Sequence, residues 1–228
     1  MTPAREVGGD FFESLALDEN RVLFFIGDVS DKGTASALLM SRTVSLLRFA
    51  AQQAKAVSGK VPSPADVLTL VNQELCRNIS IRLFVTVFLG ILDSRTGDVT
   101  YANAGHMSPL HADGSKIAKV TEELPDLPLG VRSNASYATS VMRLKPSARL
   151  VLYTDGITEA ENESGAFFGL ARLEQVLGKA GSAPLPKLIR KITSALDSFV
   201  GQANQFDDIT MLDIGWEPIQ EESSPRAD

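Results

Sequence analysis

The sequence predicts an α+β fold built on antiparallel sheets, and three observations carry that prediction. Residues 84–93 and 99–104 are apolar, strand-like runs joined by the short loop Ser94-Arg95-Thr96-Gly97-Asp98, the pattern of an antiparallel hairpin. Further strand-like runs at 22–26, 137–144, 149–153 and 208–214 lack the regular β-α-β rhythm of a parallel sheet. About four helical patterns are interleaved irregularly with them.

Taken in order, residues 22–26 form a short apolar strand that stops at Gly27-Asp28. A long helix over 34–53 follows, with Leu38, Leu39, Leu46, Leu47 and Ala50 near helical spacing. After a turn at 56–62, Ser63-Pro64-Ala65-Asp66 reads as a cap, a first-turn proline and an acid suited to the helix dipole, so a second helix runs to about Asn78. The hairpin comes next, then the strand over 137–144. Pro146-Ser147-Ala148 turns into the strand over 149–153, which ends at Thr154-Asp155-Gly156. Helices near 170–177 and 184–200 precede the last strand, 208–214.

Of the 228 residues, 44% are hydrophobic and 22% charged, enough core formers for a domain that needs neither metal nor disulfide to fold. Any metal would therefore serve function. Half of the net charge of −6 lies at the end, where Glu217, Glu221, Glu222 and Asp228 face only Arg226. We expect a domain over 1–216 and a disordered acidic tail over 217–228. The absence of a Lys/Arg block argues against nucleic acid and against a polybasic membrane patch. Cys76 is the single cysteine, so an internal disulfide is excluded and a reducing cytoplasm expected. The apolar stretch at 83–92 is roughly half the ~20 residues a membrane helix needs. The first five residues contain no secretory h-region, and the glycine-rich acidic motif starts at Gly8 with no element before it, as expected for a domain of a longer protein.

Aspartates recur at the mouths of these strands: Asp28 after 22–26, Asp155 after 149–153, and Asp207-Asp208 before the last strand, with Asp10 behind Gly8-Gly9. Neighbouring glycines allow sharp turns that bring such carboxylates together. Gathered without Lys or Arg they would repel one another by several kcal/mol, so the cluster needs a cation. All-oxygen donors select Mg²⁺ or Mn²⁺ over zinc or copper. Two such ions bridged by one carboxylate activate water and clamp a phosphoryl oxygen, the chemistry of phosphoester hydrolysis. Each aspartate alone also has an ordinary explanation as a turn former or helix cap, and the residues by themselves leave both readings open.

Six segments occur in a fixed order: VGGDFFE (7–13), IGDVSDKG (26–33) followed by ALLM, FVTVFLGILD with YANAGH (101–106), LPLG (127–130), LYTDGITEA (152–160) with FGLARL, and FDDIT (206–210). Together they resemble the stage II sporulation protein E-type serine phosphatase domain, a bacterial branch of the metal-dependent type 2C protein phosphatases, over about residues 5–215. The resemblance implies two antiparallel sheets in a sandwich flanked by helix pairs, with two Mn²⁺ or Mg²⁺ ions, and room for a third, at one end. It implies that Asp28 bridges the ions, that the Val29 carbonyl and a water held by Asp10 complete one of them, and that Asp155 and Asp207 hold the other. A metal-activated hydroxide would then attack phosphoserine or phosphothreonine directly. The implied substrate is a phosphorylated regulatory protein, a STAS-type antagonist of an anti-sigma factor. An upstream sensor or regulatory domain is implied as well, and a homodimer is compatible with it.

Some positions depart from the family pattern. Glu13 stands where an Asp is usual and Asp31 where a Gly is common; both are expected around the ligands, Asp31 alternatively as an N-cap for the helix from Thr34. Asp208 is expected behind the ligands or at a third ion. Eukaryotic relatives carry a histidine, the implied general acid, where Ser30 stands, which leaves leaving-group protonation unassigned. His106 is expected to cap a loop rather than move protons, His111 to lie on the surface and Met40 to pack in the core. Arg5 and Lys32 are candidates to approach a phosphate. A catalytically weak docking module is the rival from another class, opposed by the intact aspartate set. A hydrolase of small phosphoesters or nucleotides is a third reading, weakened because the sequence has no phosphate-cradling Gly-x-x-x-x-Gly-Lys-Ser/Thr loop.

Overall fold

The computed structural model describes residues 1, 8–78, 83–121 and 123–218. Its strands are β1 (Phe11–Ala16), β2 (Arg21–Val29), β3 (Val85–Asp93), β4 (Asp98–Ala104), β5 (Leu110–Asp113), β6 (Lys116–Lys119), β7 (Ser140–Arg143), β8 (Arg149–Tyr153) and β9 (Met211–Gly215). The helices are α1 (Thr34–Ser58), α2 (Pro64–Asn78), α3 (Asp155–Thr158), α4 (Leu170–Ala180) and α5 (Leu185–Val200). One sheet has the order β1-β2-β3-β4-β7 and the other β6-β5-β8-β9, with every strand pair antiparallel.

The layering follows from strand periodicity. Leu23, Phe24, Phe25 and Ile26 of β2 are all fully buried. Successive side chains leave a strand on opposite faces. Leu23 and Phe25 therefore pack with Leu47, Val67 and Leu75 of α1 and α2, while Phe24 and Ile26 meet Phe88, Leu150 and Leu152 between the sheets. β8 repeats the arrangement: Leu150 and Leu152 face the sheet interface, and Val151 and Tyr153 pack under Leu173, Leu188 and Ile192 of α4 and α5. A strand covered on both faces has to be apolar throughout, and that is how these two read in sequence. The result is the expected sandwich with a helix pair on each outer face. No described helix is long and apolar enough to cross a membrane.

Several elements differ from expectation. β1, β5, β6 and the four-residue α3 were not anticipated, and only Ser140–Arg143 of the run at 137–144 pairs with β4. The first helix continues to Ser58, where Gly59 ends it in the left-handed conformation (φ 66) with its N–H on the Lys55 carbonyl. β2 is longer than its apolar run, so Asp28 lies within the strand, opposite Thr86, rather than beyond its end. Expectations for Arg5 and for the tail beyond residue 218 fall outside the described residues; Glu217 accepts hydrogen bonds from the Ser147 N–H and Oγ–H.

Register places the acidic segments at one end. Phe11 pairs with Gly27 and Tyr153 with Met211, so the start of β1, the end of β2, the end of β8 and the start of β9 carry Asp10, Asp28, Asp155 and Asp207.

Candidate metal centre

The two sheets are joined at this end by a hydrogen bond from Thr154 Oγ1 to Asp10 Oδ2 (2.8 Å). The same hydroxyl accepts the Thr210 N–H (3.1 Å), so the β8–β9 ladder fixes the group that orients Asp10. Asp208 is buried, and its Oδ2 accepts the Gly9 N–H at 2.8 Å, which ties the segment before β1 to the segment before β9. A Cβ on Gly8 would stand 2.1 Å from that carboxylate oxygen, so the contact requires glycine there. At Gly9 an added Cβ would lie 3.0 Å from Asp28 Oδ1, from the Val29 carbonyl oxygen and from Ser36 Oγ. These three oxygens thus converge on a small space that only glycine leaves open.

Asp28, Asp155 and Asp207 line one cleft of about 260 Å³, together with Ser30, Asp31, Thr86 and His106. Burial, then the charges of Asp10, Asp155 and Asp207, push the Asp28 carboxyl up to about 8, and Asp10 lies within hydrogen-bonding reach of it. Asp10 is raised to about 7, by burial first and then by Asp208 and Asp155, against the lowering effect of threonine hydrogen bonds. Asp155 is raised by burial and by Asp207. Lys32 is the cation at the rim: its Nζ lies 3.1 Å from Asp207 Oδ2, bonds the Phe206 carbonyl and sits 4.0 Å over the Phe206 ring.

No three Asp, Glu, His or Cys side chains among the described residues form a closed ligand shell; the carboxylates ring the cleft instead. The donor set nevertheless suits a hard divalent cation. Its members are carboxylate and carbonyl oxygens, and a bound cation would offset both the burial that chiefly raises Asp10 and Asp28 and the repulsion from neighbouring aspartates that adds to it.

Other candidate residues distribute unevenly. Glu13 is turned to α1, where its carboxylate pairs with Arg48 at 3.2 Å, and is not brought to the cleft. Asp31 lines the cleft but does not cap α1: its Oδ1 accepts the Lys32 N–H, its φ is 71, and the N-cap is Gly33. That left-handed φ accounts for a glycine preference at the position. Ser30 is held to β3 by the Phe84 N–H (2.9 Å). His106 is buried, bonds Thr86 Oγ1 through Nδ1 at 2.9 Å, and has its pKa pushed down to about 4 by burial. Its backbone exchanges two hydrogen bonds with the Asn103 side chain, the loop role expected of it. His111 is half-buried on β5 rather than on the surface, and Met40 packs against the core. Thr154, Ser36 and Thr86 were missed, because lone hydroxyl residues carry no spacing signal and only register shows their neighbours.

The sequence model of the stage II sporulation protein E (SpoIIE) family matches residues 18–217. Protein IcfG of Synechocystis sp. (strain ATCC 27184 / PCC 6803 / Kazusa) is 29% identical over 232 residues, 93% of this chain and 36% of IcfG. Phosphoserine phosphatase RsbU of Bacillus subtilis (strain 168) is 24% identical, over 85% of this chain and 55% of RsbU. The chain thus spans between about a third and a little over half of these curated relatives. Among solved structures, the SiaA-PP2C domain of Pseudomonas aeruginosa superposes with a TM-score of 0.80 at 25% identity, covering 95% of this chain and 84% of that one.

Proposed function

The chain belongs to the stage II sporulation protein E family, and on that premise we propose that it is a metal-dependent protein phosphatase acting on phosphoserine or phosphothreonine of a bacterial regulatory protein. The carrying observation is the convergence of Asp10, Asp28, Asp155 and Asp207 at one end of the sandwich, where Asp28 is pushed up to about 8. Asp28 would bridge two Mn²⁺ or Mg²⁺ ions; the Val29 carbonyl and a water held by Asp10 would serve one, Asp155 and Asp207 the other. Such ions, when bound, supply an activated water and withdraw charge from the phosphoryl oxygens.

The chain's own part is to orient these donors. Thr154 fixes which oxygen of Asp10 faces inward, and Asp208 sets the Gly9–Asp10 backbone behind it. Lys32 offsets part of the negative charge at Asp207 and steadies the Phe206 backbone beside it. With its pKa pushed down to about 4 by burial, His106 lines the cleft as a neutral imidazole at pH 7 and is not a ready proton donor. Its role is to hold Thr86, which faces Asp28 across the β2–β3 pair.

A STAS-type antagonist of an anti-sigma factor is the proposed substrate, an upstream regulatory domain the proposed controller, and the cytoplasm the proposed site of action. The name of RsbU, a phosphoserine phosphatase, supports the reaction, and the part of IcfG and RsbU that this chain does not span leaves room for a controlling domain in such proteins. The experiment is phosphate release from phosphoserine peptides and candidate phosphoproteins with Mn²⁺ and with excess chelator. Activity should need the metal and return on its addition, while circular dichroism shows the fold retained in chelator. Full turnover in excess chelator would overturn the mechanism.

A further inference from the structure

Asp207 lines two clefts. The second, of about 360 Å³, opens between the segment 159–161 after α3, the C-terminal end of α5 and the loop at 201–206. Its floor is apolar, from Leu196, Val200 and Ile209. Beside them Phe206 is 75% exposed, a large apolar surface left to solvent at the edge of the proposed catalytic centre. The charged lining is of one sign: Glu159, Glu161 and Asp197 are exposed, no Lys, Arg or His lines the groove, and among the described residues none of the three has an ion-pair partner. Lys32, the nearby cation, is already engaged with Asp207 and Phe206.

An apolar floor under a carboxylate rim complements one kind of side chain, a long aliphatic stem ending in a positive charge. We propose that this groove docks a lysine or arginine of the substrate polypeptide, and so selects phosphoproteins with a basic residue close to the phosphorylated serine or threonine. The inference rests on the phosphatase reading of the adjacent centre. Because Asp207 borders both clefts, the basic residue falls roughly two to four positions from the phosphorylated one, about 7–14 Å of extended chain. The stem covers Leu196 and Val200 and the head meets Glu161 and Asp197. An acidic flank meets the same rim unfavourably, so discrimination has a repulsive component as well as an attractive one.

The test compares phosphoserine peptides carrying Lys, Arg or Glu at each position from four before to four after the phosphoserine. Each kcat/KM with Mn²⁺ is divided by that for p-nitrophenyl phosphate, which is too small to reach the groove. At the best position the basic peptides should be favoured about tenfold or more over the Glu peptide. Glu161→Gln with Asp197→Asn should reduce that preference to within about twofold, and Glu161→Lys with Asp197→Lys should turn it toward the Glu peptide. Melting temperatures of these exposed variants check that each is folded. No charge preference at any position, or a preference untouched by both double variants, overturns the docking proposal while leaving the phosphatase reading intact. If neither peptides nor p-nitrophenyl phosphate are hydrolysed with Mn²⁺, the phosphatase reading falls, and this proposal with it.

Discussion

Asp28 and Asp208 are both acidic residues at the same end of the fold, yet their surroundings assign them opposite effects on stability. Asp28 stands among Asp10, Asp155 and Asp207, and its charge is opposed by burial and by all three. Asp28→Asn should therefore raise the melting temperature of chelated protein, while lowering Mn²⁺-dependent turnover by several orders of magnitude through loss of the activated water. Asp208 accepts the Gly9 N–H in a buried position, and removing that acceptor leaves a buried donor unpaired, at a cost of about 1–3 kcal/mol. Asp208→Ala should melt lower by several degrees, whereas Asp208→Asn, which keeps an acceptor oxygen, should recover most of the loss. Thermal melts of the three variants in chelator, beside phosphate release in Mn²⁺, decide the matter; a stabilised Asp208→Ala would mean that its carboxylate is one more repelling charge. The Gly-Asp and Asp-Gly pairs made these aspartates legible in the sequence. The division of labour between them was not, because it depends on backbone donors that only the β1–β2 and β8–β9 registers bring close.

The same contrast holds among elements. β2 and β8 were readable because each holds a stretch buried on both faces, residues 23–26 and 150–153, that is apolar without interruption. The hairpin of β3 and β4 was readable from its loop as well, where Gly97 takes φ 75 and donates its N–H to the Asp93 carbonyl. β1 lies at a sheet edge, and its burial alternates along Phe-Phe-Glu-Ser-Leu-Ala while its residue types do not, with Phe12 on the exposed face and Glu13 on the more buried one, which left no apolar run or alternation to find. β5 and β6 have four residues each, and the Asp113-Gly114 pair between them was their one local signal. The difference between a covered and an edge strand is measurable. Phe24, fully buried between the sheets, should cost about 3–5 kcal/mol on replacement by alanine. Phe12 on β1 is 44% exposed, and Phe12→Ala should cost roughly 1 kcal/mol or less. Denaturant unfolding of the two variants measures both numbers, and equal losses would show that the sheet interface is not the tightly packed layer described.

At the scale of the whole molecule, opposed titrations separate along the pH axis. Asp10 and Asp28 are raised from 3.8 to about 7 and about 8. As pH rises above 4, the unfolded chain loses these protons while the folded chain keeps them, so stability falls until the folded values are passed. His106 acts in the other direction: its folded value is about 4 against 6.5, so below pH 6.5 the unfolded chain gains a proton that the buried imidazole refuses, and stability falls toward acid. Between pH 4 and 6.5 the two effects oppose each other. Above pH 6.5 the histidine contribution is constant and the aspartates act without it. Chelated protein should therefore lose on the order of 2 kcal/mol between pH 6.5 and 8, a fall of several degrees in melting temperature for a domain of this size. Mn²⁺ should remove most of that slope, since a bound cation keeps the carboxylates ionised at little cost. Asp28→Asn should flatten it in chelator by deleting the group raised furthest. Melting curves at four pH values across this window, with and without Mn²⁺, carry the test. A flat profile in chelator, or a slope unchanged by Asp28→Asn, would mean that these carboxylates do not repel one another and that the cleft has no need of a cation.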